Sequence, residues 1–272
     1  MHVVVRCQEV ARRAGRALLA LSLCGLAATA AHAAAAPAGA SAVLECMRAN
    51  VPKTLTVRDI QLSASDRKGS TRTLQGRIYA SREDDKLRAM IRIAAPADLA
   101  GAAYLLRERE SGDEMYVYMP ALQKVRRISG AAIDGSLWGT DLSYADVKQL
   151  TNAFSGAQPK LDRDETVAGR AMHVLSVAPT VAAARFDRVR AWVDARTCMA
   201  LRVDFEQAGV AQKRLTIEPG DLQQSGSYWY ATQILVSDLK QGSKTTVKVT
   251  GITPDKELAD RLFGPATFYL GN

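Results

Sequence analysis

Past a short apolar stripe at Val43, Leu44 and Met47, hydrophobic and polar positions alternate with a period of two from Leu55 almost to the end of the chain. That is the repeat of strands that bury one face. Ser41 is placed to cap the first helix, which ends before Pro52. Thr54 to Ser65, Arg72 to Ser81 and Leu87 to Ala94 then read as a meander, turning at Asp66-Arg67-Lys68-Gly69 and at Asp84-Asp85. Pro96 interrupts it, Ala102 to Glu110 resumes it, and Ser111-Gly112-Asp113 turns it into Met115 to Met119. The alternation returns in Lys160 to Val167, Met172 to Ala178, Phe186 to Val193, Cys198 to Glu206, Gln212 to Glu218, Trp229 to Leu239 and Lys244 to Gly251. In Cys198 to Glu206, Met199, Leu201, Val203 and Phe205 share one face while Arg202, Asp204 and Glu206 share the other. A loop surrounds Pro179, and Asp255 to Leu262 reads as a closing helix.

About ten antiparallel strands make a sheet that must curl or close. Only two substantial helices are available to cover its apolar face. The expectation is therefore one mainly β domain, a curled sheet with a partly open apolar hollow. A sandwich core would give the same alternation.

The N-terminus changes where this domain works. Arg6, Arg12, Arg13 and Arg16 lead into the apolar run Ala17 to Ala31, and a small-residue cleavage site follows at Ala31-His32-Ala33. That is the layout of an export signal. Residues 1–33 are assigned to it, 34–40 to an Ala/Pro/Gly linker and 41–272 to the domain. Cys24 follows Leu23 in the middle of the apolar run, without the small residue that a lipoprotein site needs. No later stretch is as long and apolar as a membrane span. Removing the signal's four arginines and Glu9 lowers the net charge from +8 to +5, with acids beside bases along the chain. Nucleic acid is not an expected partner, whereas an anionic membrane or headgroup is compatible. Cys46 and Cys198 survive cleavage in a compartment where disulfides persist, so a bridge between them is expected. Two separately buried thiols are the alternative.

The densest mixture of aromatics and charges is Met115 to Thr151. Tyr116 and Tyr118 alternate with Met115, Val117 and Met119, and Pro120 ends that strand. Lys124 to Ile128 carries Arg126 and Arg127, whose side chains must leave opposite faces. Ser129 to Thr140, with three glycines and Trp138, reads as a mobile loop. A helix follows, capped by Asp141 or Ser143, with Tyr144, Val147 and Leu150 on one face. Asp141 and Asp146 can each pair with one of the arginines. Two readings stay open: a structural salt bridge, or a latch at the mouth of the hollow for which a ligand's polar head competes.

Catalysis finds little support. His173 is the histidine left in the exported chain, and no familiar motif sets an acid or serine beside it. No CxxC, HExxH or histidine pair offers a metal site. Asp162, Asp164 and Glu165 read as a solvated edge rather than a calcium loop. No cofactor, metal or catalytic residue is assigned, and a hydrolase on Ser143 or His173 is the weakest class.

Tyr118-Met119-Pro120, Lys124-Val125-Arg126-Arg127-Ile128 and Trp138-Gly139-Thr140-Asp141-Leu142-Ser143-Tyr144-Ala145-Asp146 resemble the motif of the periplasmic outer-membrane lipoprotein-sorting, LolA-like family. The branch is the one often encoded beside RND/MMPL-type exporters. Ala191-Trp192-Val193-Asp194, Leu201-Arg202-Val203 and Tyr228-Trp229-Tyr230 fit its later strands. The resemblance implies an unclosed antiparallel β-barrel, LolA/LolB-like, with a few covering helices and an apolar cavity that carries acyl chains through the periplasm. It implies a monomer and no catalytic residue. The family's lid is closed by one early arginine; no early arginine here matches by motif, and Arg126 or Arg127 is given the comparable part. The cavity and lid are assigned to Tyr116, Tyr118, Arg126, Arg127, Trp138, Asp141, Tyr144, Asp146, Met199, Leu201, Val203 and Phe205. The expected partners are lipid or lipoprotein acyl chains, with an inner-membrane exporter or an outer-membrane acceptor. The competing function is a non-carrying adaptor of such an exporter, with the loop Ser129 to Trp138 as interface and Trp138 as anchor.

Overall fold

The computed structural model describes residues 39–150, 157–178, 185–256 and 260–270, all within one compact unit, Ala35–Asn272. The export segment, most of the linker and the loop around Pro179 lie outside the described residues. Helix α1 (Ala40–Ala49) precedes β1 (Leu55–Ser65), β2 (Thr71–Glu83), β3 (Lys86–Ala95), β4 (Ala103–Arg107), β5 (Glu114–Met119) and β6 (Lys124–Ile128). A covering segment containing the one-turn helix α2 (Val147–Leu150) leads to β7 (Ala157–Leu161), β8 (Glu165–Val167), β9 (Arg170–Ala178), β10 (Arg188–Asp194), β11 (Ala200–Gln207) and β12 (Val210–Thr216). The hairpin β13 (Leu222–Ser225) and β14 (Tyr228–Ala231) stands apart from β15 (Gln233–Asp238) and β16 (Ser243–Lys256).

Fourteen strands form one antiparallel sheet in the order β6-β5-β4-β3-β2-β1-β16-β15-β12-β11-β10-β9-β7, with β8 added beside β9. Two meanders thus meet where β1 pairs with β16 along nearly its whole length. Strands β6 and β7 are left as unjoined ends, so the barrel is unclosed. No helix among the described residues is long and apolar enough to cross a membrane.

Several boundaries differ from the pattern for local reasons. Ser41 lies inside α1, whose N-cap is Gly39 without a side-chain bond. Trp229 to Leu239 is two strands, because the Thr232 N–H leaves the ladder to bond the Asp221 carbonyl at 2.8 Å. Lys160 to Val167 likewise breaks into β7 and β8. Asp255 and Lys256 finish β16, held by the pairing of Leu55 with Lys256; of the expected closing helix, residues 257–259 lie outside the described residues and Asp260–Phe263 form a 3-10 turn.

The two faces are buried differently. Inward are Ile60, Leu62, Leu74, Ile78, Ile91 and Tyr104 from the first meander, with Leu201, Val203, Phe205, Leu215, Val236 and Val247 from the second. Val43 and Met47 of α1 and the covering segment close over this face. On the outer face, Leu262, Phe263 and Phe268 of the C-terminal tail cover Val57, Tyr79, Met90 and Leu105. Beyond the tail, charge replaces cover. Asp204 lies between Arg202 and Arg214, Glu206 pairs with Arg188, and Trp192 sits under Arg190 and Arg202 at 4.7 and 4.2 Å.

Helix α1 is fastened to the second meander covalently. Cys46 is bonded to Cys198, 152 residues away, with Cα atoms 5.6 Å apart. Beside the bridge, Asn50 Nδ2 donates to the Thr197 carbonyl at 2.7 Å and Oδ1 accepts the Trp229 N–H at 2.9 Å. Closing so long a loop removes unfolded-state entropy worth on the order of 5 kcal/mol. Reduction is expected to lower the unfolding free energy measured in urea by most of that amount, and a Cys46→Ala/Cys198→Ala variant should match the reduced protein; a midpoint indifferent to reductant would count against the bridge.

The outer-face carboxylates set the acid response. Burial pushes the Asp204 carboxyl up, but its bonds to Arg214 and Arg202 and their charges outweigh this and hold it below its ordinary value. Asp194 is likewise raised by burial and lowered further by Arg170 and Thr197. A depressed folded-state pKa stabilises the fold above the unfolded value of about 3.9 and loses that contribution as pH falls through the folded one. Urea titrations below about pH 4 should therefore show steep loss. Asp204→Asn should cost about 2 kcal/mol at neutral pH and flatten the acid limb; a variant with an unchanged acid limb would contradict the assignment.

Candidate functional site

The covering segment runs from Ser129 to Leu150. After a 3-10 turn at Gly130–Asp134, a bridge joins Ser136 to Ser143, and the Leu137 N–H bonds the Leu142 carbonyl at 2.7 Å. At the tip, Trp138 and Gly139 take φ of 53° and 77° in succession. A left-handed tryptophan is strained, and the turn persists because its indole is buried. Leu137, Trp138, Leu142, Val147 and Leu150 all enter the main apolar cluster, with Trp138 only 7% exposed. At about 1.5–3 kcal/mol each, their burial is worth on the order of 10 kcal/mol.

Polar contacts fix the register of this segment on the sheet. The Asp141 carboxylate accepts the Ser243 and Thr245 hydroxyls at 2.5 and 2.7 Å. Asp146 forms a fully buried ion pair with Lys213 of β12 and accepts the Ser143 N–H at 2.6 Å. Lys148 reaches Glu108 and Asp113 at 2.8 and 2.7 Å. The Tyr104 hydroxyl donates to the Tyr144 carbonyl at 2.7 Å, and burial first of all raises the Tyr104 pKa well above its usual value.

Arg58 makes the least satisfied of these contacts. Its Nη1 donates to the Leu150 carbonyl at 3.3 Å, and among the described residues its Nε has no partner and it forms no ion pair. Burial lowers its pKa to about 10. Among the described residues, the buried Thr56 hydroxyl, on the same face two residues earlier, is also without a partner.

The structure reassigns part of the expected site. Arg126 and Arg127 are exposed on the edge strand β6 and pair with neither Asp141 nor Asp146. Tyr116 and Tyr118 lie on the outer face with the tail, where Tyr118 stacks on Tyr269 at 4.3 Å. Asp141 and Ser143 do not cap a helix, because α2 begins only at Val147 and Tyr144 precedes it. Trp138 is not a surface anchor for a partner. Met199, Leu201, Val203 and Phe205 do lie in the inner cluster with Trp138, and Tyr144 packs against it. The expected hollow is filled by the covering segment, and the cleft of about 480 Å³ at its rim is polar, lined by Arg72, Asp134, Asp141, Arg185 and Lys213. His173 bonds Asp164 at 3.1 Å, and Glu165 accepts the Trp192 indole N–H at 2.8 Å, so the acids of that edge are engaged.

Arg58 and Lys213 escaped the sequence reading although each carries a signal. Arg58 occupies the register of Ile60 and Leu62 in β1, and Lys213 that of Leu215 and Ile217. A cation in the apolar register of an alternating strand is buried and must be answered from above the sheet.

A family model described as an uncharacterized protein family, DUF1329, matches residues 85–268. The chain belongs to that family. Its fold is LolA-like. A domain from Vibrio parahaemolyticus ascribed to outer membrane lipoprotein sorting aligns with a TM-score of 0.76 and 20% identity, over 85% of this chain and 98% of that one. A DUF1329 family protein from Desulfovibrio piger gives 0.71 and 25%, over 83% and 97%. A LolA superfamily protein from Nitrosomonas europaea gives 0.64 and 16%, over 84% and 98%. No curated protein matched the chain.

The buried pair offers a direct check of the covering contact. Asp146→Ala leaves the Lys213 ammonium buried beside the Phe205 ring and should cost about 3–5 kcal/mol. Asp146→Leu/Lys213→Met should recover most of it. Urea unfolding of the wild type and the two variants measures the loss and its recovery, and a double variant no more stable than Asp146→Ala would show that the pair does not act as a unit.

Proposed function

We propose that the protein is a periplasmic carrier that holds an acyl chain of a lipid or lipoprotein against the inner face of its sheet, for transfer to or from the outer membrane. The covering segment serves as its lid. One observation carries the reading: the segment is joined to the sheet by apolar burial and by a buried arginine whose answer is a lid carbonyl.

Magnitudes favour exchange. An acyl chain gains about 0.8 kcal/mol per buried methylene, so a dozen methylenes equal the roughly 10 kcal/mol gained by the lid's five side chains. Closed and loaded states then lie close in free energy, and small polar terms decide between them. Arg58 is such a term, since lifting Leu150 releases it to water or to an acceptor on the cargo. The lipoprotein-sorting and LolA superfamily structures that share the fold support this reading.

Mass spectrometry of an organic extract of the purified protein should find a bound lipid, and a fluorescent fatty acid should bind the delipidated protein. Arg58→Met removes the cation that raises the free energy of the closed state and that can meet an acceptor on the cargo, so the fatty acid should bind on the order of tenfold weaker, with stability unchanged or raised. A lipid-free extract from a protein that also ignores the fatty acid would overturn the proposal.

A further inference from the structure

We infer that the corner formed by the β5–β6 hairpin and the end of the C-terminal tail is a docking surface for an anionic lipid bilayer. On β2, β3 and β4 and their turns, Arg72, Arg82, Lys86, Arg88, Arg107 and Arg109 each reach a carboxylate. Lys124, Arg126 and Arg127 on β6 are exposed and, among the described residues, reach none. Between Glu114 and Asp134 the chain has those three cations and no acid. Among the described residues the charge of this corner is therefore uncompensated.

Apolar groups project from the same corner. Leu122 at the hairpin tip is 51% exposed and Val125 is 36% exposed. Val125 lies opposite Tyr118 across the strand pair, and Tyr118 stacks on Tyr269. The next residue, Leu270, is 66% exposed. Lysine and arginine on a sheet edge also deter strand addition, but that role gives no reason for leucines and half-buried tyrosines beside them. Leucine at a tip, tyrosine behind it and cations around it match a headgroup interface, where apolar tips enter, aromatic rings sit at the boundary and cations face phosphates.

Docking is independent of cargo, so its test and the lipid extraction can fail separately. Wild-type protein is sedimented with vesicles of phosphatidylcholine alone or mixed equally with phosphatidylglycerol. Binding is expected to the mixed vesicles and to weaken with salt. Lys124→Glu/Arg126→Glu/Arg127→Glu should weaken it on the order of a hundredfold, and Leu122→Asp should weaken it at unchanged net cation count on β6. Lys240→Glu/Lys244→Glu/Lys248→Glu, a charge-matched change at exposed positions of the β15–β16 hairpin, should bind as wild type does. Thermal midpoints confirm folding, every altered side chain being on the surface. Wild-type protein left in the supernatant, undiminished binding by the β6 variant, or an equal loss in the β15–β16 control would each overturn the inference.

Discussion

Burial of Leu137, Trp138, Leu142, Val147 and Leu150 against the inner face is the contact on which the rest depends, because an unclosed sheet exposes its apolar side until something covers it. Helix α1 buries Val43 and Met47 in that task, with Ala40 and Leu44 packed beside them. The remaining cover has to come from a segment with little regular structure, and its backbone groups must find partners off the sheet ladder. The Leu137–Leu142 bond, the bond from the Asp141 N–H to the Thr245 hydroxyl and the Tyr104–Tyr144 bond meet that need one at a time. Such a cover is held by side chains rather than by a ladder, so it can leave without unravelling the sheet.

The polar anchors differ in how well they are matched. Lys213 and Asp146 neutralise each other inside the fold, whereas Arg58 faces a neutral carbonyl and is pulled toward the uncharged form by burial. A cation in that position raises the free energy of the closed state relative to any state that solvates it or supplies an acceptor. Arg202, Arg214 and Asp204 on the outer face show the contrary economy: charges are closely paired, and the carboxyl stays ionised further into acid. The inner face is poised and the outer face is fastened.

Strand alternation made much of this legible. The opposed sets Leu201, Val203, Phe205 and Arg202, Asp204, Glu206 lie on opposite faces of β11. The mainly β, curled sheet likewise follows from strand count and the shortage of helices, whereas the unclosed barrel is what the family resemblance implies. The candidate site was less legible. Arg126 and Arg127 drew attention as neighbours on a strand beside two aspartates, yet Asp146 found Lys213, from a strand 67 residues away. Tyr116 and Tyr118 alternate correctly, but which of their two faces was inner depended on the tail that covers the other.

Period-two patterning and turn residues determined by themselves that this chain builds a long antiparallel sheet with an apolar side. These are consequences of local geometry, in which neighbours along the chain fix which side each residue takes. Only the tertiary structure decided which side is inside, which cation is buried and what fills the hollow. Those outcomes turn on β1 meeting β16, on Leu150 reaching Arg58 and on Phe268 reaching Met90. The free energy of burial is shared by residues far apart in sequence, and nothing local to any of them records it.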